Sequence, residues 1–249
     1  MQKTKRFGLI GRNIDYSFSR QYFSNKFKKQ NLTFCEYVNC DIEDIKDFKK
    51  IKSKDFNGFN VTTPYKEKII KFLDIIDDSA KEIGAVNTIK IKKGKLIGYN
   101  TDYMGFLKTI DGFNFTRAAI LGSGGASKAI AFALKTKKIP YMVFSRKLNP
   151  TFYKYSSQKK YIPKCDLIIN TTPLGTFPNL KDCPPLDFKN ISKKNFCYDL
   201  IYNPTKTKFL QKSEKLGAKI MNGLKMLENQ AEESWNISVS YTHLTLPTI

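Results

Sequence analysis

The sequence predicts an α/β protein of two domains, a mainly parallel α/β domain followed by a Rossmann-type domain. Three observations predict it. From Phe7 to Ile70, short apolar runs alternate with helical patterns, the order that builds a mainly parallel sheet. A second series opens at Arg117 with an apolar strand, a glycine turn and a helix. Between them, Asn60-Val61-Thr62-Thr63-Pro64-Tyr65-Lys66 sets a cation just past a strand end, where open α/β sheets bind ligands.

Composition sets the outer bounds. The 249 residues are 41% hydrophobic and 26% charged, ordinary for a soluble globular chain with a sizeable core. No apolar run approaches the ~20 residues that span a bilayer. The basic start, Met1 to Arg6, leads only into Phe7-Gly8-Leu9-Ile10-Gly11, a strand rather than a leader. Cysteines 35, 40, 165, 183 and 197 form no C-x-x-C pair, which suggests a reduced, cytoplasmic protein. One His and scattered thiols argue against a metal site. The net charge of +21 admits a nucleic-acid-binding protein as a reading of a different class. However, the cations are spread along the chain with acids among them, and no nucleic-acid motif is present. Richness in Asn, Ile, Phe, Tyr and Lys looks like the codon bias of an AT-rich genome. A positive field would also steer an anionic substrate and a phosphorylated cofactor.

The elements follow in order. Residues 6 to 11 read as the first strand. In the loop after it, Ser17 and Ser19 can cap the next helix or bind a small polar ligand. Phe34 to Val38 reads as a strand, Ile42 to Ile51 as an amphipathic helix and Phe56 to Thr62 as a strand. Pro64 suits a first helical turn, which would place Lys66 on the positive end of a helix continuing through Leu73. Asp77-Asp78-Ser79-Ala80 caps a short helix that ends at Gly84. Gly84-Ala85-Val86-Asn87-Thr88 then opens a strand to Lys92, and Leu96 to Asn100 returns as a hairpin across Lys93-Gly94-Lys95. In Gly98-Tyr99-Asn100-Thr101-Asp102-Tyr103-Met104-Gly105 an acid starts the next helix, a position that capping and the helix dipole also favour.

In Ala118-Ala119-Ile120-Leu121-Gly122-Ser123-Gly124-Gly125-Ala126-Ser127, Gly122 permits the tight turn and Gly124 a close approach to a pyrophosphate. Ser127 replaces the third glycine of the dinucleotide fingerprint. The next strand, Tyr141 to Phe144, ends in Ser145-Arg146-Lys147. Cations stand there in place of the acid that binds a ribose 2′-OH, so NADP is favoured over NAD. Residues 148 to 164 contain no clear motif. Asp166 to Gly175 reads as a buried strand with polar residues at its end, and Asn195 to Tyr202 as another, followed by a helix capped near Asn203-Pro204-Thr205. Lys219-Ile220-Met221 is a short strand before the last helix, which opens at Asn222-Gly223-Leu224.

These motifs resemble the shikimate dehydrogenase family, in order, over about residues 6 to 237. The match departs from the family after Ser17-x-Ser19, where Arg20 and Phe23-Ser24 stand in place of the usual Pro and His-Asn. The resemblance implies a substrate-binding domain over 1–102, a dinucleotide-binding domain over 103–222, and a helix over 223–238 that returns to the first domain. It implies reversible NADPH-dependent reduction of 3-dehydroshikimate to shikimate, within chorismate and aromatic amino acid biosynthesis. Lys66 and Asp102 would be the catalytic pair, with Lys66 the proton donor. Ser17, Ser19, Thr62, Asn87, Asp102, Tyr202 and Gln230 would bind substrate. NADP(H) would be held by Asp78, Gly122, Ser123, Gly124, Gly125, Ala126, Ser145, Arg146, Lys147, Thr171, Leu200 and Gly223. The domains would hinge about the cleft, and the protein would be a monomer or homodimer with a small-molecule substrate. A dual-specificity quinate/shikimate dehydrogenase would share every motif, whereas the Ser-x-Ser loop argues against a folate-type relative.

The last stretch, Val239-Ser240-Tyr241-Thr242-His243-Leu244-Thr245-Leu246-Pro247-Thr248, resembles a translated library-adapter sequence. On this reading residues 239–249 are a non-native tail, and the sole His has no catalytic role. An intact genomic reading frame encoding these residues would overturn it.

Overall fold

A computed structural model describes residues 4–15, 17–52, 55–146 and 149–239. Residues 240–249 of the tail lie outside the described residues. Its contacts divide the chain into two units, one of Met1–Thr101 with the segment from Ala231, the other of Asp102–Gln230.

The first unit contains β1 (Lys5–Gly11), α1 (Phe18–Lys29), β2 (Cys35–Asp41), α2 (Phe48–Ile51), β3 (Gly58–Val61), β4 (Ile75–Ile76), α3 (Asp78–Ile83), β5 (Thr88–Lys92) and β6 (Lys95–Tyr99). Its sheet runs β2-β1-β3-β5-β6-β4. β1 is parallel to β2 and β3, while β5 runs antiparallel between β3 and β6. The hairpin turns on Lys93 and Gly94, both left-handed (φ 50° and 75°), the primed turn whose twist matches paired strands. Asp77 caps α3 by accepting the Ser79 N–H, and Gly84 closes it at φ 69°. One face of the sheet buries Ile10, Phe48, Phe59, Val61, Ile69 and Ile89. Where one helix was expected over Ile42 to Ile51, a 3₁₀ turn (Ile45–Asp47) leads into the single-turn α2.

The second unit contains α4 (Asp102–Thr109), β7 (Ala118–Leu121), α5 (Gly125–Thr136), β8 (Tyr141–Phe144), α6 (Gln158–Tyr161), β9 (Leu167–Asn170), β10 (Phe196–Asp199), α7 (Lys208–Lys215), β11 (Lys219–Met221) and the start of α8 (Leu224–Val239). All five strands are parallel in the order β11-β10-β9-β7-β8. β7, β9 and β10 are buried along their whole length because both faces are covered. Ile120, Ile169 and Tyr198 pack with Phe106, Ile130, Leu134 and Met226, while Leu121, Ile168 and Cys197 pack with Ile162, Phe209 and Leu210. Beyond β8, Tyr153 bonds to the outer edge: its N–H donates to Val143 O at 2.8 Å and its carbonyl accepts Ser145 N–H at 3.0 Å. This one-residue bridge stands where a dinucleotide-binding sheet carries its third strand.

The second half of α8 belongs to the first unit. Trp235 packs 5.5 Å from the Phe7 ring and 5.2 Å from the Phe27 ring, centroid to centroid. Glu232 accepts from the Tyr22 hydroxyl and from Lys26 Nζ. Lys90 Nζ donates to the Ile237 carbonyl at 2.7 Å. Among the described residues, no helix is long and apolar enough to cross a membrane.

Candidate active site

In the first unit, three loops meet one edge of the sheet. β5 runs against its neighbours, so its N-terminal end lies beside the C-terminal ends of β3 and β6, as the pairs Asn60↔Thr88 and Thr88↔Tyr99 record. The loop after β1 carries Ser17, with Ser19 in the first turn of α1, the loop after β3 carries Thr62 and Lys66, and Asn87 stands directly before β5. Backbone bonds hold these loops together. Thr62 N–H donates to Ile10 O, Val61 N–H to Asn87 O, and Val86 N–H to Lys66 O, each at 2.8 Å.

Lys66 requires a correction. No α-helix opens at Pro64. Tyr65 N–H closes a turn onto the Thr62 carbonyl at 2.9 Å. The buried Tyr65 hydroxyl lies 2.7 Å and 2.8 Å from the carbonyls of Ile42 and Glu43. Val86 takes the Lys66 carbonyl, and the segment then tightens into a 3₁₀ turn over Lys68–Phe72. The half-buried Lys66 is thus held by a pinned turn, with no helix dipole behind it.

Ser17 is the N-cap of α1, its Oγ accepting the Ser19 N–H at 3.2 Å. The Tyr37 hydroxyl donates to Asn60 Oδ1 at 2.8 Å. Burial pushes the Tyr37 phenol up, and the polar Ser19 side chain offsets part of that. Asn60 Nδ2 lies 2.6 Å from Ser234 Oγ and 3.3 Å from the Asn87 carbonyl. Tyr37, Asn60, Asn87 and Ser234 therefore share one network. Tyr37, which joins it, reads in sequence only as a strand residue.

In the second unit, Asp102 is the first residue of α4 and is 5% exposed. Tyr202 is half-buried in a loop, not in a strand as the sequence suggested. β10 ends at Asp199 because that side chain accepts the Ile201 N–H at 3.1 Å, turning the chain out of the ladder. The half-buried Gln230 donates Nε2 to the Leu227 carbonyl of its own helix at 3.0 Å. Asp78, expected at the cofactor, is exposed at the start of α3 in the first unit.

The remaining predicted cofactor residues gather at the C-terminal edge of the parallel sheet. Ser145 and Arg146 follow β8, Thr171 follows β9, Leu200 follows β10, and Gly223 follows β11. The glycine loop follows β7, from which the chain crosses first to β8 on one side and later to β9 on the other, the switch point where such sheets bind ligands. Gly122 has φ 116°, and a Cβ there would lie 2.6 Å from Thr171 Oγ1. A Cβ on Gly124 would meet nothing within 4 Å, so the space over the first turn of α5 is open. This turn ends in backbone N–H groups and suits a pyrophosphate. Ser127 in place of glycine is buried, and its Oγ donates to the Gly122 carbonyl at 2.8 Å, bracing the loop. Ser123 and Ser145 hydroxyls meet at 2.8 Å. Arg146 is exposed beside them, and Lys147 lies outside the described residues. The residues present thus fit a dinucleotide.

The family description "Shikimate dehydrogenase substrate binding domain" matches residues 9–89. A curated NADP(+) shikimate dehydrogenase of Clostridium botulinum (strain Hall) is 41% identical over 90% of this chain and 92% of its own. The chain belongs to the shikimate dehydrogenase family. Shikimate dehydrogenase 1 of Peptoclostridium difficile superposes with TM-score 0.83 at 37% identity, covering 95% of this chain and 92% of that one. The Thermus thermophilus shikimate 5-dehydrogenase, solved with NADP(H) and shikimate, gives TM-score 0.85 at 26% identity, covering 95% and 94%. Against this family background, sequence reasoning passed over Asn170 and Asp199, both fully buried at strand ends. The available signal was a polar residue closing each of two otherwise apolar runs.

Proposed function

We propose that the protein is an NADP-dependent shikimate dehydrogenase, reducing 3-dehydroshikimate to shikimate in the route to chorismate and the aromatic amino acids. The observation that carries this reading is the edge of the first sheet, where Lys66 shares a bonded loop set with Ser17, Ser19, Thr62 and Asn87. NADPH supplies the hydride for the ring ketone. The chain's own groups bind the substrate and move the proton. Negative charge develops on the ketone oxygen, where Lys66 Nζ stabilises it and donates the proton that makes the hydroxyl. The amine is reprotonated from solvent. Ser17 and Ser19 bind the substrate carboxylate through their hydroxyls. Thr62, Asn87, Asp102, Tyr202 and Gln230 bond ring hydroxyls, roles that rest on the family resemblance. Gly122 to Ala126 bind the pyrophosphate, and Arg146 with Lys147 the 2′-phosphate.

The reading also places the protein in the cytoplasm, as a monomer or homodimer. Five free thiols support a reducing compartment, and light scattering after size exclusion measures the mass. The test of function follows NADPH oxidation at 340 nm with 3-dehydroshikimate, using NADH and quinate as controls. Turnover with NADPH and 3-dehydroshikimate is expected. A folded protein inactive with both cofactors and both substrates would overturn the proposal.

A further inference from the structure

Asp199 is fully buried at the end of β10, and its carboxylate gathers three separate segments. Oδ1 accepts Asn170 Nδ2 at 3.0 Å and the Ile201 N–H at 3.1 Å, and Oδ2 accepts the Thr207 hydroxyl at 2.6 Å. Thr207 is the N-cap of α7. The oriented Asn170 turns its own Oδ1 to the Thr172 N–H at 3.0 Å and the Thr172 hydroxyl at 2.7 Å. Neighbouring Thr171 donates its N–H (2.9 Å) and hydroxyl (2.8 Å) to the carbonyl of Leu121, the residue before Gly122. On the other side, the Ile201 carbonyl accepts the Gly223 N–H at 3.0 Å. Leu200 O presses so close to Gly223 that a Cβ there would lie 2.0 Å away.

One carboxylate thus sets the turn carrying Thr171, the turn carrying Leu200 and, through it, Gly223. We infer that Asp199 is a positioning residue for the cofactor: acting through Asn170, Ile201 and Thr207, it holds these turns in the arrangement that a dinucleotide binds. The inference rests on the proposed NADP-dependent activity. As the side chains lie, all three neighbours donate to the carboxylate, and of them only the Thr207 hydroxyl can also accept. An Asn at 199 can keep its carbonyl on Asn170 and Ile201 and donate its NH₂ to the Thr207 hydroxyl, whereas an Ala leaves the Asn170 and Ile201 donors buried without that acceptor, so a turn must move.

The test compares Asp199→Ala with the parent in NADPH titrations by fluorescence and in shikimate titrations by calorimetry, with thermal melts of both. The NADPH Kd of the folded variant is expected to rise about tenfold or more, with the shikimate Kd within about twofold. Thr207→Val, which removes one donor, should move the NADPH Kd the same way by a smaller factor, and it carries the test if Asp199→Ala does not fold. Thr207→Ser, which keeps the hydroxyl, should restore parental binding. An NADPH Kd unchanged in the folded variants, or equal losses for both ligands, overturns the inference. A parent that binds no NADPH overturns the functional reading itself.

Discussion

Asn87 clasps Thr101 with both ends of its carboxamide. Its Oδ1 accepts the Thr101 N–H at 2.7 Å, and its Nδ2 donates to Thr101 Oγ1 at 2.9 Å. Both residues are buried, at 3% and 0% exposure, so the bonds have little competition from water. Asn87→Ala leaves the Thr101 N–H buried without that acceptor, a cost of about 1–3 kcal/mol. Urea melts should show a lower midpoint, and KM for 3-dehydroshikimate should rise because the same amide is proposed to bond the ring. Asn87→Asp keeps the acceptor and should lose less stability. Equal midpoints for parent and Ala variant would refute the clasp.

Lys66 is proposed to contribute chemistry, not packing. Its turn is pinned by Tyr65 and by the bond from Val86 to its carbonyl, neither of which needs the ammonium. Lys66→Met should therefore keep the circular dichroism spectrum and a cooperative melt. It should lower kcat by about 10²–10⁴, the range that a positioned proton donor supplies. A variant with parental kcat would assign the proton to another group.

Arg146 stands exposed after β8, where an acid would favour NAD. Arg146→Ala should raise KM for NADPH by about tenfold and leave the slower reaction with NADH unchanged, since the loss is one charge-assisted contact to a phosphate. Equal effects on both cofactors would remove Arg146 from the 2′-phosphate site.

Asp199 also makes stability depend on pH. Burial pushes its carboxyl up to about 6, against the hydrogen bonds from Thr207, Ile201 and Asn170. A folded pKa above the unfolded one stabilises the fold at low pH, and the contribution is lost as pH rises through about 6. The nearby Cys183 thiol is itself raised by burial, so it stays neutral across this window. Relative to Asp199→Asn, the parent should gain on the order of 1 kcal/mol between pH 7.5 and pH 5, about 2–4 °C in Tm. A constant Tm difference across that range would contradict the raised pKa.

Trp235 lies among the rings of Phe7, Phe23 and Phe27. Trp235→Ala should cost about 3 kcal/mol, because the cluster cannot close over the lost ring. As the sole tryptophan, Trp235 reports its own site, and its emission should shift red as the first unit unfolds. A melt by circular dichroism that leaves Trp235 emission unchanged would show that this stretch of α8 does not depend on that core.

What the sequence determined by itself was whatever depends on residues near one another along the chain. β8 and β11 fall where apolar runs between turn residues put them, and Lys93-Gly94 turns the hairpin because glycine and its neighbour accept positive φ. Ser17 caps α1 and Asp77 caps α3 through bonds two residues long. The glycine turn before α5 was legible for the same reason. Tertiary structure decided the rest. The turn at Lys66 depends on partners some twenty residues away, Ile42 and Val86, which no window around Pro64 contains. Tyr37 and Asn60 bond across β1 only because β1 lies between β2 and β3. Asp199 meets Asn170 only because β9 and β10 are neighbours in the sheet, with these two residues in register. Hydrogen bonds act over about 3 Å whatever the sequence separation, so the polar partners that shape these loops emerge only once the strands are aligned.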